Sequence, residues 1–348
     1  MSPDPAEAPT LSGVSDAESP IPWLGTLLPG IALCGLIAAA ALLLRRMSGV
    51  AALSPMIVSI GLGALVHNWV GTPAVAKPGV AFSLRWILRF AIVLLGFQLT
   101  AQQVLDVGAA GFAVIVISLV TCFVVTKPLG AALGVDAKLT ELIAAGTSIC
   151  GASAVIATNT VTKAPEEDCA YAVACVTLCG MVAMVFYPLL PHLLGLNSRD
   201  FGLWTGASVH EVAQVVAAAY QTGKEAGDYA TITKLTRVIM LAPMIVALGA
   251  FATRRADGGA RQARAPLPYF ALWFIAAIAV NSAIEIPPSL KELIVSTTTF
   301  LLALALAAMG LSTDLRKLAP RGARPLILGA LSSLIIALVS LFLVKLCV

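Results

Sequence analysis

The sequence predicts an all-α polytopic membrane protein of ten to eleven transmembrane helices, two of them interrupted and crossing. Three observations carry that expectation. The 348-residue chain is 59% hydrophobic and 11% charged, with a mean hydropathy of +0.94, where a soluble domain carries about 25% charged residues. Apolar runs of roughly 20 residues, each enough to cross a bilayer core, recur from end to end. Two of the runs hold glycines and hydroxyls at mid-length, and an ideal membrane helix avoids both because open backbone is costly in hydrocarbon.

Eleven runs can be drawn: 23–44, 52–70, 87–105, 108–127, 139–160, 168–191, 201–221, 233–253, 268–284, 293–312 and 325–346. Connections are short, so 22–348 reads as one transmembrane domain. Residues 1–21 carry four carboxylates and four prolines but no Lys or Arg, the composition of a disordered tail. Without a basic n-region it is not a signal peptide. Fourteen loop Lys and Arg fall on one side of the eleven runs and seven on the other, Lys234 and Arg237 among the seven. That bias predicts a cytoplasmic N-terminus and tail.

Residues 78–90, PGVAFSLRWILRF, set Phe82, Trp86 and Phe90 at helical spacing beside Arg85 and Arg89. They suit either a short interfacial helix or the anchored end of a span. The basic stretch 254–268 is expected to be a flexible loop between two halves. A short internal match joins Leu95–Thr100, LGFQLT, to Met309–Asp314, MGLSTD. An odd number of spans separates the two copies, as in an inverted repeat. The interrupted runs are separated by an even number and would run parallel, unless one is re-entrant, the span count differs or the halves are permuted.

The first interruption is Gly146-Thr147-Ser148-Ile149-Cys150-Gly151-Ala152-Ser153. Small residues every fourth position serve close helix packing. The glycine pair around two hydroxyls suits a locally unwound turn better. A half-helix starting near Gly151 would present free N–H groups and a positive dipole end to an anion, with Ser148 and Ser153 as further donors. The second is Ser208-Val209-His210-Glu211-Val212-Ala213-Gln214. On a helix His210, Glu211 and Gln214 share one face, and polar residues so gathered point into a protein interior or a wet cavity. Either Glu211 or His210 can carry a coupling proton. A helix-gluing hydrogen-bond cluster is the plainer alternative.

Several chemistries are excluded. Gln214 stands where a zinc protease would need its second His, so no metal is expected. Five of the seven cysteines lie inside apolar runs and read as packing residues. No nucleotide fingerprint, catalytic triad or basic nucleic-acid face is present. Polar residues near span ends, Asn68, Gln98, Asn281, Thr297–Thr299 and Asp314, are caps or interfacial groups unless they line a pathway.

The run GTSICGASAVIAT at 146–158, with LPG at 28–30 and GASVHEVAQV at 206–215, closely resembles the YeiH-type sulfate exporter family of bacterial inner-membrane proteins, over most of residues 22–348. More distantly, the order LGFQL, apolar span, interrupted Gly/Ser/Cys helix is similar to the bile acid/sodium symporter group. The resemblance implies a secondary carrier in a bacterial inner membrane, built from inverted repeats, whose discontinuous helices cross at the substrate site. Of the symporter's sodium-ligand carboxylates only Glu211 has a counterpart. Together these readings predict a transporter, not an enzyme, for a small anion such as sulfate or sulfite. Gly146, Thr147, Ser148, Cys150, Gly151, Ser153, Ser208 and Gln214 would bind substrate, and His210 and Glu211 would couple a proton or sodium ion. The bilayer and a second copy in a homodimer are the other partners to consider. A passive anion channel, and an intramembrane enzyme using His210 and Glu211, are the alternatives.

Overall fold

In the computed structural model, residues 21–48, 54–255, 269–314, 316 and 322–347 are described. The tail 1–20 and most of the 254–268 stretch lie outside them. Every regular element among the described residues is helical. Helix α1 (Ile21–Ser48) and α2 (Pro55–Trp69) lead into a nearly continuous segment over Ala74–Gly96. It comprises a 3₁₀ turn (Ala74–Ala76), α3 (Lys77–Phe82), a π turn (Ser83–Ile87) and α4 (Leu88–Gly96). Helix α5 (Ala101–Ala132) bends at Gly108, whose φ of 60° and ψ of −169° interrupt it. Then come α6 (Ala137–Ser148), α7 (Ala152–Thr162), α8 (Glu166–Phe186), α9 (Pro191–Leu194), α10 (Ser198–Ser208), α11 (Val212–Thr222), α12 (Lys224–Ile239) and α13 (Leu241–Arg255). The chain closes with α14 (Tyr269–Ala283), α15 (Pro288–Ser312) and α16 (Ala323–Cys347).

Seven helical stretches are long and apolar enough to cross a membrane: Gly25–Ser48, Ala74–Gly96, Ala101–Ala132, Glu166–Leu189, Lys224–Ala250, Pro288–Ser312 and Ala323–Cys347. Helix α14 is apolar but shorter. The chain is a polytopic membrane protein, and the long stretches fall on predicted runs. One run is displaced. The helix expected at 87–105 ends at Gly96, because Thr100 starts a new helix by a capping box with Gln103. Residues 78–90 therefore lie inside the Ala74–Gly96 stretch and are not a separate interfacial helix. Trp86 and Phe90 are exposed there, and Arg89 stands 5.8 Å and 5.7 Å from the rings of Trp86 and Phe270.

Both predicted interruptions exist, and both correct the crossing-helix expectation: each segment folds back on itself. Helix α6 ends at Ser148, the chain turns through Ile149–Gly151, and α7 returns beside it. At the base, Lys138 Nζ donates to the Lys163 carbonyl at 3.0 Å and Thr162 Oγ1 to Glu141 Oε2 at 2.8 Å. Those residues sit at opposite ends of the pair in sequence and at the same end in space. Helices α10 and α11 do likewise, splayed around α12. Gly202 near the start of α10 and Tyr220 near the end of α11 both lie against the 226–230 stretch of α12. Each arm of eleven or twelve residues is about 17 Å long, half the thickness of a bilayer core.

The two hairpins enter from opposite ends of the bundle. The first has its base beside Lys127 and Gly130 of α5. The second has its base at Asp106 of the same helix, whose carbonyl accepts from Arg199. About 35 Å of helix separates the two places. The tips meet between them.

The remaining helices, α1, α2, α3–α4, α14 and α15, form a second body. Glycines let its backbones touch. A Cβ on Gly310 would strike the Ile60 carbonyl, and one on Gly63 would lie against Ala307. The bodies meet largely on a Met- and Ala-rich seam: Met56, Leu95, Leu302, Leu306 and Met309 against Met184, Ala213, Val216 and Ala217. Overpacking a closed contact costs about 1–3 kcal/mol, so Gly310→Ala is expected to lower the thermal midpoint of the purified protein. Gly61→Ala, on an open face of α2, should leave it unchanged or raise it slightly.

Candidate functional site

A helix ends with carbonyls that have no intrahelical partner, and in hydrocarbon each such group costs several kcal/mol. Two helices, α6 and α10, end in the middle of this protein. The debt is met by α12. Arg237 Nε donates to the Ser148 carbonyl at 2.7 Å and Nη1 to those of Ala207 at 2.8 Å and Val209 at 3.2 Å, while Nη2 reaches the Thr147 carbonyl. Lys234 Nζ bridges the carbonyls of Ile149 at 2.6 Å and Val209 at 2.8 Å. Both side chains are fully buried. One turn of α12 thus ties together the negative ends of two half-helices. The positive-inside count had placed both residues in a loop, and the structure corrects that.

The other two half-helices begin at the same junction and present positive N-terminal ends. Glu211 serves both. It is the N-cap of α11 in a reciprocal box with Gln214: the Gln214 amide donates to the Glu211 carboxyl, and Gln214 Oε1 accepts from the Glu211 amide at 3.1 Å. The carboxyl also accepts from Thr177 Oγ1 of α8 at 2.9 Å and lies against Gly151 at the start of α7. Gly151 makes the room. Its φ of 69° and ψ of −131° suit glycine, and a Cβ there would lie 2.7 Å from Glu211 Cγ. Gln214 Nε2 completes the cap by donating to the Thr177 carbonyl at 3.1 Å.

Of the predicted residues, the fold gathers Thr147, Ser148, Cys150, Gly151, His210, Glu211 and Gln214 at the two tips. His210 Nε2 lies 3.0 Å from Ser333 Oγ of α16. Its Nδ1 and the hydroxyl of Thr147 are buried with no hydrogen-bond partner among the described residues. Gly146 packs, its α-carbon facing Val155 and Val176. Two more residues depart from expectation. The Ser208 hydroxyl is committed to the Trp204 carbonyl at 2.6 Å, and Ser153 is exposed on the outer face of α7. Thr177, Lys234, Arg237 and Ser333 belong to the site and were not anticipated. Lys234 and Arg237 are spaced to share a helix face, and their position at the edge of an apolar run was the available clue. Nothing in the runs around Thr177 and Ser333 distinguishes them.

With Lys234, Arg237 and Glu211 all ionised, two cations face one anion and the formal charge of the junction is +1. The dipole ends, two of each sign, cancel. Between the two bodies, alongside α11 and toward the base of the second hairpin, lies a cavity of about 390 Å³. Arg45, Gln98, Tyr220, Gln221, Lys224 and Thr298 line it. A larger hollow of about 910 Å³ between α5, the first hairpin and α13 is lined mainly by apolar side chains, with Lys127, Lys138 and Glu141 at its base end, and lies on the outer side of the hairpin, away from this chemistry. Asn68 and Asn281 turn out to be caps: their Nδ2 groups donate to the Thr313 carbonyl at 2.9 Å and the Leu99 carbonyl at 2.7 Å.

Removing the guanidinium leaves several buried carbonyls open at about 1–3 kcal/mol each. Arg237→Met is therefore expected to abolish recovery of monodisperse protein, whereas Arg237→Lys, keeping the charge but losing the fork, should survive with a depressed melting point. Size-exclusion chromatography and thermal melting read both.

Comparison with known proteins places the chain. The family described as "Conserved hypothetical protein 698" matches residues 29–329. The chain is 40% identical over 337 residues to the UPF0324 membrane protein PA5383 of Pseudomonas aeruginosa, covering 91% of this chain and 94% of that protein. It is 37% identical over 310 residues to the UPF0324 inner membrane protein YeiH of Escherichia coli K12, covering 86% and 88%. A Yersinia pestis UPF0324 membrane protein is 36% identical over 342 residues, covering 90% and 92%. The chain belongs to the UPF0324 family of bacterial membrane proteins, to which YeiH also belongs.

Proposed function

We propose that this protein is a secondary active transporter of a small oxyanion such as sulfate or sulfite in the bacterial inner membrane, and neither an enzyme nor a passive channel. The observation that carries the reading is the meeting of two hairpin tips at a buried junction. There the helix ends are held by Lys234 and Arg237, and the opposing N-termini converge on a site of net positive charge. Broken helices at mid-depth are tolerated where they form a binding site. A carboxyl, an imidazole and two helix N-termini in one place can bind an anion and move a proton. A coupling sodium ion is the lesser option, because Glu211 is the one carboxylate at the junction.

In this reading nine segments cross the bilayer: the seven long stretches, α2 and α14. The hairpins re-enter from opposite faces. The basic loops 254–268 and 313–324 connect helices at the base end of the first hairpin, which makes that end cytoplasmic. The N-terminus is then inside and the polar cavity near Lys224 opens to the outside. The two halves form an inverted repeat with a permuted order. The unit α2, α3–α4, α5, first hairpin, α8 is answered by α14, α15, α16 together with the second hairpin and α12–α13, which precede them in the chain. Three relations support it. Helices α6 and α10 end at Ser148 and Ser208, and α7 and α11 run Ala152–Thr162 and Val212–Thr222, a constant offset of 60 residues. The hairpins point in opposite directions. Asn68 donates to the Thr313 carbonyl just after α15, as Asn281 donates to the Leu99 carbonyl just after α4. Alternating access would come from the hairpin body moving against the other along the Met- and Ala-rich seam.

Two experiments test this. Cysteines replacing Lys138 and Lys163 should both react with a membrane-impermeant maleimide from the cytoplasmic side, and cysteines replacing Arg199 and Lys224 both from the outside. Labelling of one pair from two sides would refute the hairpins. In proteoliposomes, an imposed pH gradient should drive accumulation of radiolabelled sulfate or sulfite, and Glu211→Gln should abolish gradient-driven accumulation. Accumulation that Glu211→Gln leaves intact would refute proton coupling through this residue.

A further inference from the structure

The anion seat formed by the starts of α7 and α11 is already filled by the protein's own carboxylate. Glu211 accepts from the Gln214 amide and from Thr177 Oγ1, and its carboxyl lies against Gly151 at the start of α7. These are the donors that an oxyanion at two helix N-termini would use. Gly151 is open enough for the carboxylate to rest against the backbone. On the same two tips three buried groups, Thr147 Oγ1, Ser148 Oγ and His210 Nδ1, have no partner among the described residues, although buried polar atoms are nearly always hydrogen-bonded.

We propose that Glu211 is an exchangeable internal ligand. Its carboxylate and the substrate oxyanion compete for one seat, and the anion enters as Glu211 takes up one proton from water and swings out. This rests on the anion-transporter reading and specifies its site. A carboxylate and an oxyanion a few ångströms apart in a low-dielectric interior repel strongly, so simultaneous occupancy is disfavoured. The neutral carboxylic acid has no such conflict. It also needs the helix N-termini less, since their attraction is for negative charge. The anion that replaces it gains the amides of Ala152 and Gln214, the Thr177 hydroxyl, and donors from Thr147 and His210. With Glu211 neutral, the two cations balance the two negative charges of sulfate. Lys234 and Arg237 of α12 remain on the hairpin carbonyls, and they supply the positive field from that side. The other titratable groups near the carboxyl are Cys150 on the first tip and the adjacent His210, whose Nε2 meets Ser333 Oγ of α16. The arrangement yields coupling without a second site: each anion bound is one proton taken up by the same residue.

The test measures sulfate binding, by calorimetry on the full-length protein in detergent, at pH 6 and pH 8. Sulfate keeps its charge across that range, so the pH dependence belongs to the protein. Wild type should bind at least tenfold more tightly at pH 6. Glu211→Gln, with no rival charge, should bind equally at both, as tightly as wild type at pH 6. Glu211→Ala, a second removal of the rival charge, should likewise bind equally at both and more tightly than wild type at pH 8. Glu211→Gln with undiminished pH dependence, or wild type with none, overturns the proposal, as does Glu211→Ala binding like wild type at pH 8 should Glu211→Gln not fold. Absence of sulfate binding in all three proteins, each monodisperse, would instead strike the anion-transporter reading on which the proposal stands.

Discussion

Two buried cations hold this architecture. Without Lys234 and Arg237 the carbonyl ends of α6 and α10 would face each other across an apolar interior, unsatisfied and mutually repulsive. With them, one turn of α12 fastens both tips, and the hairpins can stop halfway through the bundle. The cations are in turn sustained by those carbonyls, since an isolated buried charge would be far more costly. Neither side of the arrangement is stable without the other.

From that fastening the rest follows. If α6 and α10 end at the junction, α7 and α11 must begin there, and their open N–H groups need an acceptor. Glu211 supplies it, reaching one helix as its cap and the other through space, with Thr177 as a third donor. Glycine at 151 is required because any side chain would occupy the place the carboxylate takes. The body that carries the junction then meets α2, α4 and α15 across methionine and alanine side chains. That surface is smooth and adaptable, free of the interlocking glycine contacts that close α2 on α15.

Much of this was legible in the sequence, and the reason is physical. Hydrocarbon tolerates so little irregularity that Gly146–Gly151 and Ser208–Gln214 stand out against apolar surroundings. The breaks fall where those residues fall. Their direction could not be read, because a span and a hairpin of two half-length helices have the same length and hydropathy. The even spacing of the two breaks carried the hint that one or both doubled back. Lys234 and Arg237 were misread for a related reason: a cation near the edge of an apolar run looks like a loop residue until its partners, 25 to 90 positions away along the chain, are known. Asn68 and Asn281 looked like ordinary helix-end polar groups, and each donates to a carbonyl of a distant segment, just after α15 and just after α4. Ser153 failed because one helical step turned it outward.

The account stands or falls on the junction being where an anion sits. The most direct measurement is a structure of the protein with selenate, determined at low pH with the selenium anomalous signal recorded. The account predicts a peak within hydrogen-bond distance of the Ala152 and Gln214 amides, with the Glu211 side chain moved aside. A junction still filled by Glu211, with selenium confined to the outer cavity near Arg45 and Lys224 or absent altogether, would contradict it.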